Sequence, residues 1–231
     1  TVNPAAGGTG TVTDQDGNSY DYLTYGNQVW TVDNAEMVTY RDGTDIPKVT
    51  DPTQWINLTT GAWCYYDNDP TKPRLYNWYA VMGIHDTDSN TPNKEFAPEG
   101  WHVPTDAEWT TLENYLIANG YNYDGTTTGN KIGKAMASTT GWNSSTDVGA
   151  IGNDQSSNNN SNFNAFPEGT VVMLVRSTMR VTVRSFGVPL RAMQMAHGTA
   201  AWATIAVSYP GTTATTSRAA FRCVLSGIKN L

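Results

Sequence analysis

The chain has 231 residues, of which 15% are charged and 11% aromatic, and its net charge is -7. This length is sufficient for one large domain, and eight Trp and twelve Tyr exclude an intrinsically disordered chain. Apolar runs are too short to span a bilayer, and a pI near 4.8 argues against nucleic acid as a partner, so we expect a globular domain that neither enters the membrane nor binds nucleic acid.

Charge is distributed unevenly along the chain. Residues 1–162 contain 7 Lys and Arg against 20 Asp and Glu, whereas residues 163–231 contain 7 Lys and Arg against Glu168 alone. The first part therefore carries -13 and the last part +6. Two interpretations remain open: two faces of one domain that balance each other, or a final third that meets a different functional demand.

The N-terminal part predicts a flexible segment followed by two strands. Residues 1–10 are mainly Gly, Ala, Thr and Pro and predict a flexible N-terminus. Further on, β-favouring residues flank Asp16 and Gly17, which predicts strand, turn and strand. Together with Asp14 these residues are similar to part of a calcium loop, but the other oxygen ligands of an EF-hand are missing, so a turn is favoured over a metal site.

Two helices are predicted in the middle of the chain. Thr105 and Glu108 form a capping box, which marks the start of a helix over residues 106–119, and Gly120 supplies its stop. A second, shorter helix is predicted over residues 130–138, with Ile132, Ala135 and Met136 facing inward.

The rest of the chain predicts loops and strands. Residues 143–162 are rich in Asn and Ser and predict a loop. Residues 171–184 and 202–207 are β-branched and apolar and predict strands. This order of elements indicates a single α+β domain over residues 11–231.

Residues with catalytic or metal-binding chemistry form no recognisable motif. His85, His102 and His197 stand far apart, and no nucleotide-binding, zinc or nucleophile-elbow motif occurs. We therefore expect no cofactor, no metal and no catalytic residue. Cys64 and Cys223 both lie in strand-like contexts, where a disulfide between them and two independently buried thiols are both open.

Several blocks of the sequence resemble the Fibrobacter succinogenes major paralogous domain. They occur in the family's order at residues 11–18, 26–30, 61–69, 75–81, 98–112, 141–143, 163–167 and 222–224. The resemblance implies a C-type-lectin-like fold, with two helices, small antiparallel sheets, long loops and a β-rich C-terminal region.

Formylglycine-generating enzymes share this fold more distantly. Their helix start, Leu-Pro-Thr-x-x-Glu-Trp, is similar to residues 103–109 here. Those oxidases use a closely spaced pair of reactive cysteines near the C-terminus, and this chain has only Cys223 there. We therefore expect that the chain is not an enzyme.

Residues 170–220 depart from the family's pattern. The layout resembles the variable proteins of diversity-generating retroelements, in which adenine-directed mutagenesis alters codons, often those for Asn, near the end of the gene. Glu cannot arise from Asn codons by changing adenines alone, which fits a segment almost free of acids. We predict a variable region at 170–220, closed by a short constant block.

Candidate ligand-binding positions are side chains of this region that supply planar donors, polar groups or apolar area. They are Val172, Met173, Arg176, Thr178, Arg180, Arg184, Arg191, Met193, His197, Thr204, Val207, Tyr209, Thr212 and Arg218. Alternating apolar residues such as Val171, Met173 and Val175 equally fit the inward face of a strand.

The sequence thus favours a non-enzymatic protein that binds a protein or glycan ligand on a cell surface. Its own location would be a bacterial surface or a phage tip. The alternatives are an invariant bacterial surface lipoprotein domain and, less favoured, a protein similar to the formylglycine-generating enzymes. An oligomer is open, since a multivalent module gains avidity from weak single sites.

Overall fold

The computed structural model describes residues 8–166 and three short strands at 171–172, 219–221 and 226–227. These residues form eight strands, β1 (Thr9–Thr13), β2 (Ser19–Tyr25), β3 (Gln28–Thr31), β4 (Trp63–Tyr65), β5 (Arg74–Asn77), β6 (Val171–Val172), β7 (Ala219–Phe221) and β8 (Ser226–Gly227). They also form four helices, α1 (Pro52–Asn57), α2 (Trp78–Val81), α3 (Asp106–Ala118) and α4 (Gly133–Met136). The predicted α+β class, with small antiparallel sheets and few helices, is confirmed.

The first sheet has the strand order β1-β2-β3-β8, with every neighbouring pair antiparallel. The predicted turn at Gly17 connects β1 and β2, and Gly17 adopts φ 88°, which favours glycine. A second turn follows at Gly26. Strand β1 begins inside the segment predicted to be flexible, because Thr9 and Gly10 pair with Leu23 and Tyr22.

The second sheet has the strand order β4-β5-β7-β6. Strand β7 therefore lies between β5 and β6, although long stretches of sequence separate the three. The two last strands of the chain join different sheets, since β7 pairs with β5 and β8 pairs with β3. The C-terminal end of the chain thus completes both sheets.

The main predicted helix is confirmed as α3, which starts with the predicted capping box and ends before Asn119. The second predicted helix is present but shorter than residues 130–138. Ala137 leaves the helix with an extended backbone and forms a bridge with Ala165, which ends α4 at Met136. The expectation of two helices was too low, since α1 and α2 also form among the described residues.

The hydrophobic core lies against both sheets. One cluster packs α3 on the first sheet through Trp30, Leu112 and Leu116, all 0% exposed. Trp109 borders this cluster, with its ring centroid 4.5 Å from that of Trp30. A second cluster packs on the second sheet and includes Tyr76. None of the helices in residues 8–166 is long and apolar enough to cross a membrane.

The Asn-rich segment at 143–162 forms the predicted loop, with one short 3-10 turn at Gln155–Ser157. Its bends use the left-handed backbone, which Asn and Asp tolerate better than other residues with a side chain. Asp154, Asn159 and Asn162 adopt φ values of 45°, 65° and 60°. The same side chains that predicted a loop therefore also supply its geometry.

Candidate functional site

The second sheet anchors both ends of the segment that contains most of the predicted binding positions. Val171 and Val172 in β6 pair with Ala220 and Ala219 in β7. The described strands before and after residues 173–218 are therefore immediate neighbours in this sheet.

Of the predicted binding positions, Val172 is described through its backbone, as the last residue of β6. The others lie outside the described residues: Met173, Arg176, Thr178, Arg180, Arg184, Arg191, Met193, His197, Thr204, Val207, Tyr209, Thr212 and Arg218. Their role as ligand contacts stays a prediction.

Asn77, at the end of β5, fixes the place where β7 pairs. Its backbone lies opposite Ala220. Its side chain is 6% exposed, and its Oδ1 accepts hydrogen bonds from the backbone N–H of Ala62 at 3.0 Å and Ala80 at 2.9 Å. Its Nδ2 donates to the carbonyl oxygen of Thr60 at 2.8 Å. One amide thus connects β5, the start of α2 and the segment before β4.

Tyr76 supports the same strand from the core side. The residue is 0% exposed, and its hydroxyl donates to the carbonyl oxygen of Met37 at 2.7 Å. Its ring stands edge-on to Phe96, with centroids 5.0 Å apart. Because Tyr76 also pairs with Phe221, the strand that receives β7 is held by the core and by polar contacts together.

Two exposed apolar side chains lie beside this anchor. Trp78 is 39% exposed and Met82 38% exposed, and α2, which begins at Trp78, contacts β7. The rings of Trp78 and Tyr79 meet at 5.3 Å between centroids. Sequence reasoning placed Trp78 in a family block without a role. The four-residue spacing between Trp78 and Met82 was the one available signal, and it is equally typical of a buried helix face.

Positive charges stack on aromatic rings at the far edge of the second sheet. The Arg74 guanidinium lies 5.0 Å from the Trp63 ring centroid, and the Lys48 ammonium lies 4.6 Å from that of Tyr65. Arg74 also forms an ion pair with Glu36 at 2.6 Å. These cations of the described chain are therefore engaged by rings and a carboxylate within the fold.

The acidic turn at Asp14 is a structural turn, as the sequence favoured. The Asp14 carboxylate is buried and accepts hydrogen bonds from the N–H groups of Asp16 and Asn18, both at 2.9 Å, and from the Tyr20 hydroxyl. Burial and this bond to Asp14 raise the pKa of Tyr20 far above its usual range. The carboxylate oxygens are thus committed to the turn. Within the described residues, no group of three His, Cys, Asp or Glu side chains is arranged to hold a metal ion.

Cys64 is buried in β4 at 5% exposure and forms no disulfide within the described residues. Burial raises the pKa of its thiol to about 12, although the positive charge of Lys48 acts to lower it. A thiol that keeps its proton at neutral pH is a poor nucleophile. Cys223 lies outside the described residues, so the disulfide between Cys64 and Cys223 stays a prediction.

The two histidines of the described residues, His85 and His102, lie in separate places. His102 Nε2 lies 2.6 Å from Glu108 Oε1, in the capping box of α3, and His85 Nε2 lies 3.3 Å from Asp86 Oδ2. His197 lies outside the described residues. The two described histidines thus contact carboxylates at separate places.

The family of the chain follows from a comparison with family models. The model described as the Fibrobacter succinogenes major domain matches residues 23–187, which is more than half of the chain. The chain belongs to this family. The matched part of this Fibrobacter succinogenes major domain runs from β2 to a point inside the candidate variable region. No curated protein and no solved structure matches the chain.

Proposed function

We propose that this Fibrobacter succinogenes major domain is a non-enzymatic ligand-binding protein that displays a diversified segment. In this proposal the domain has a C-type-lectin-like fold, and a diversity-generating retroelement alters residues 170–220. The protein acts on a bacterial surface or at a phage tip. The observation that carries the proposal is the pairing of β6 with β7, which fixes both ends of residues 173–218 on neighbouring strands.

This anchoring supports diversification because it separates the changing sequence from the frame, defined as residues 8–166. The three hydrophobic clusters of the described chain are built from residues 23–165. In this proposal, substitutions within 173–218 are tolerated more readily than substitutions in these clusters. Binding proteins that present changeable segments on a rigid scaffold follow the same physical logic.

The charge of the segment favours an acidic ligand. Residues 173–218 contain five Arg and no Asp or Glu, whereas the preceding frame is strongly acidic. Arg offers a planar set of donors that suits carboxylate or phosphate groups. Trp78 and Met82 add exposed apolar area next to β7. Aromatic and apolar side chains of this kind contribute strongly to binding affinity at protein interfaces. An acidic protein or an acidic glycan on a cell surface matches both features.

Exchange of the segment tests the proposal. Residues 173–218 are replaced by those of a sibling gene copy, and both proteins are screened against cell-surface extracts. We expect a different set of ligands with the thermal unfolding midpoint changed by only a few degrees. Identical binding profiles, or sibling genes that are uniform over residues 170–220, would refute diversification and favour an invariant surface domain.

A charge reversal adds a sharper measurement once a ligand is found. Arg180→Glu lies in the segment, and Lys72→Glu is its matched control on an exposed turn of the frame. We expect Arg180→Glu to weaken binding by about three- to tenfold at low salt, and Lys72→Glu to leave it unchanged. Equal effects of the two variants would mean that overall charge, and not the segment, attracts the ligand.

A further inference from the structure

Lys134 is a buried cation that faces backbone carbonyl oxygens. It lies in α4 and is 8% exposed. Its ammonium donates hydrogen bonds to the carbonyl oxygens of Ala150 at 3.5 Å, Asp154 at 3.2 Å and Asn153. All three oxygens belong to the Asn-rich loop. A single ammonium therefore joins α4 to three carbonyl oxygens within residues 150–154 of the loop.

The loop backbone is curled around this ammonium by its own hydrogen bonds. The Ala150 oxygen also accepts the N–H of Asn153 at 3.0 Å, and the Asp154 oxygen accepts the N–H of Ser157 at 3.0 Å. The Asp154 oxygen also accepts a hydrogen bond from the Ser157 hydroxyl at 2.8 Å, so these carbonyls close turns of the loop and also face the ammonium. Asp154 adopts the left-handed backbone at φ 45°, a conformation that costs free energy for a residue with a side chain.

The burial of a charged amine needs compensation, and the three carbonyl dipoles supply it. Burial lowers the pKa of Lys134 below its ordinary value, and the nearby Asp154 carboxylate offsets only part of this shift. The Asp154 carboxylate itself accepts a hydrogen bond from the Ser156 hydroxyl at 2.6 Å. Neutral carbonyl oxygens are therefore the direct partners of the ammonium.

This donor set has the chemistry of a monovalent-cation site. Backbone carbonyls replace the hydration shell of potassium in selectivity filters. Calcium instead prefers carboxylates among six to eight oxygens at about 2.3–2.6 Å. The three oxygens that face the ammonium are all neutral carbonyls, with no carboxylate among them, which suits a monovalent cation better than calcium.

We infer that the carbonyl oxygens of Ala150, Asn153 and Asp154 form a monovalent-cation site that the protein fills with its own Lys134 ammonium. The site holds the loop on α4 without an external ion. The backbone reinforces the attachment, because the carbonyl oxygen of Lys134 accepts the N–H of Asn159 at 2.8 Å. If the side chain is shortened, the site becomes available to free ammonium or potassium.

Chemical rescue tests the inference. Lys134→Ala empties the site, and Lys134→Met fills the same space with an apolar chain. We expect both variants to lose about 6–12 °C in thermal midpoint. Ammonium or potassium chloride should restore at least half of this loss in Lys134→Ala, measured against the same concentration of tetramethylammonium chloride. Wild type, Lys134→Met and the surface control Lys131→Ala should not distinguish the salts.

Two results would overturn the inference. One is a Lys134→Ala protein that ammonium, potassium and tetramethylammonium stabilise equally. The other is a Lys134→Met protein as stable as wild type, because the charge would then be unnecessary. If Lys134→Ala fails to fold, NMR of the wild-type protein decides. The ammonium protons of Lys134 should exchange with water more slowly than those of Lys131, whose side chain is 38% exposed, and equal rates would reject the site.

Discussion

At the scale of single residues, Cys64 is buried and its thiol has a strongly raised pKa. Its pKa of about 12 leaves little thiolate at pH 8. We expect native Cys64 to react with iodoacetamide roughly a thousandfold more slowly than in the unfolded chain, where its thiol has the ordinary pKa of 9.0. Mass spectrometry of the reduced protein, labelled with and without denaturant, measures the ratio. Labelling of native Cys64 at the rate of the denatured chain would contradict the buried position.

The same thiol affects stability at alkaline pH. The folded state keeps the Cys64 proton up to about pH 12, whereas the unfolded state loses it near the ordinary value of 9.0. The folded state binds more protons between these values, so the contribution of Cys64 to stability falls as pH rises through this window. A disulfide with Cys223 would remove this pH dependence, and the same mass spectra without reductant would detect it.

At the scale of elements, the capping box of α3 is tied to a histidine. The Glu108 carboxylate accepts hydrogen bonds from the Thr105 N–H at 2.7 Å and the Thr105 hydroxyl at 2.8 Å, and it lies 2.6 Å from His102 Nε2. Burial raises the pKa of Glu108, but these contacts outweigh burial and hold the pKa below its usual 4.5. A carboxyl with a lowered folded pKa stabilises the fold above its unfolded pKa. That contribution is lost as pH falls through the folded value.

We therefore expect Glu108→Gln to cost about 1 kcal/mol at pH 7 and progressively less as pH falls below 4.5. Urea unfolding over this pH range measures the difference. Glu113→Gln on the same helix is the control, because burial raises the pKa of Glu113. Its substitution should be neutral or stabilising at pH 7. The same pH dependence in both variants would show that the capping box has no special role.

Helix α3 was predictable from a local signal, whereas α2, which depends on distant partners, was not. Thr105, Glu108 and Gly120 marked α3, because caps are encoded within a few residues. Helix α2 was missed because its cap, Asn77, acts through contacts with the separate segment at Thr60 and Ala62. A four-residue helix also carries too few residues for a periodic pattern.

The anchoring of the candidate segment was not predictable from the sequence. A change of composition delimited residues 170–220, but composition holds no information about which strands pair. The burial of Lys134 was also hidden, because its partners are backbone carbonyls, which every residue has. Its neighbour Lys131 is the same residue type but is only partly buried and pairs with the Asp124 carboxylate. Only the packing of the Asn-rich loop on α4 distinguishes the two.

At the scale of the whole molecule, the C-terminal strands connect the two sheets. Strand β7 occupies an interior position in the second sheet, and β8 pairs with β3 in the first. A chain ending at Arg218 therefore lacks an interior strand and leaves β5 unpaired on one side. We expect this truncated protein to lose cooperative unfolding, because the lost pairing cannot be replaced locally.

The opposite deletion should be tolerated. Val172 and Ala219 are paired neighbours on antiparallel strands, so a short Gly-rich turn can join them in place of residues 173–218. We expect the protein without residues 173–218 to unfold cooperatively, with a thermal midpoint within about 5 °C of that of the full chain. Circular dichroism and calorimetry measure both properties. The two deletions together show whether the stability of the fold depends on the C-terminal strands or on residues 173–218. If the protein without residues 173–218 fails to fold while the chain ending at Arg218 folds, residues 173–218 are part of the core and not a displayed segment.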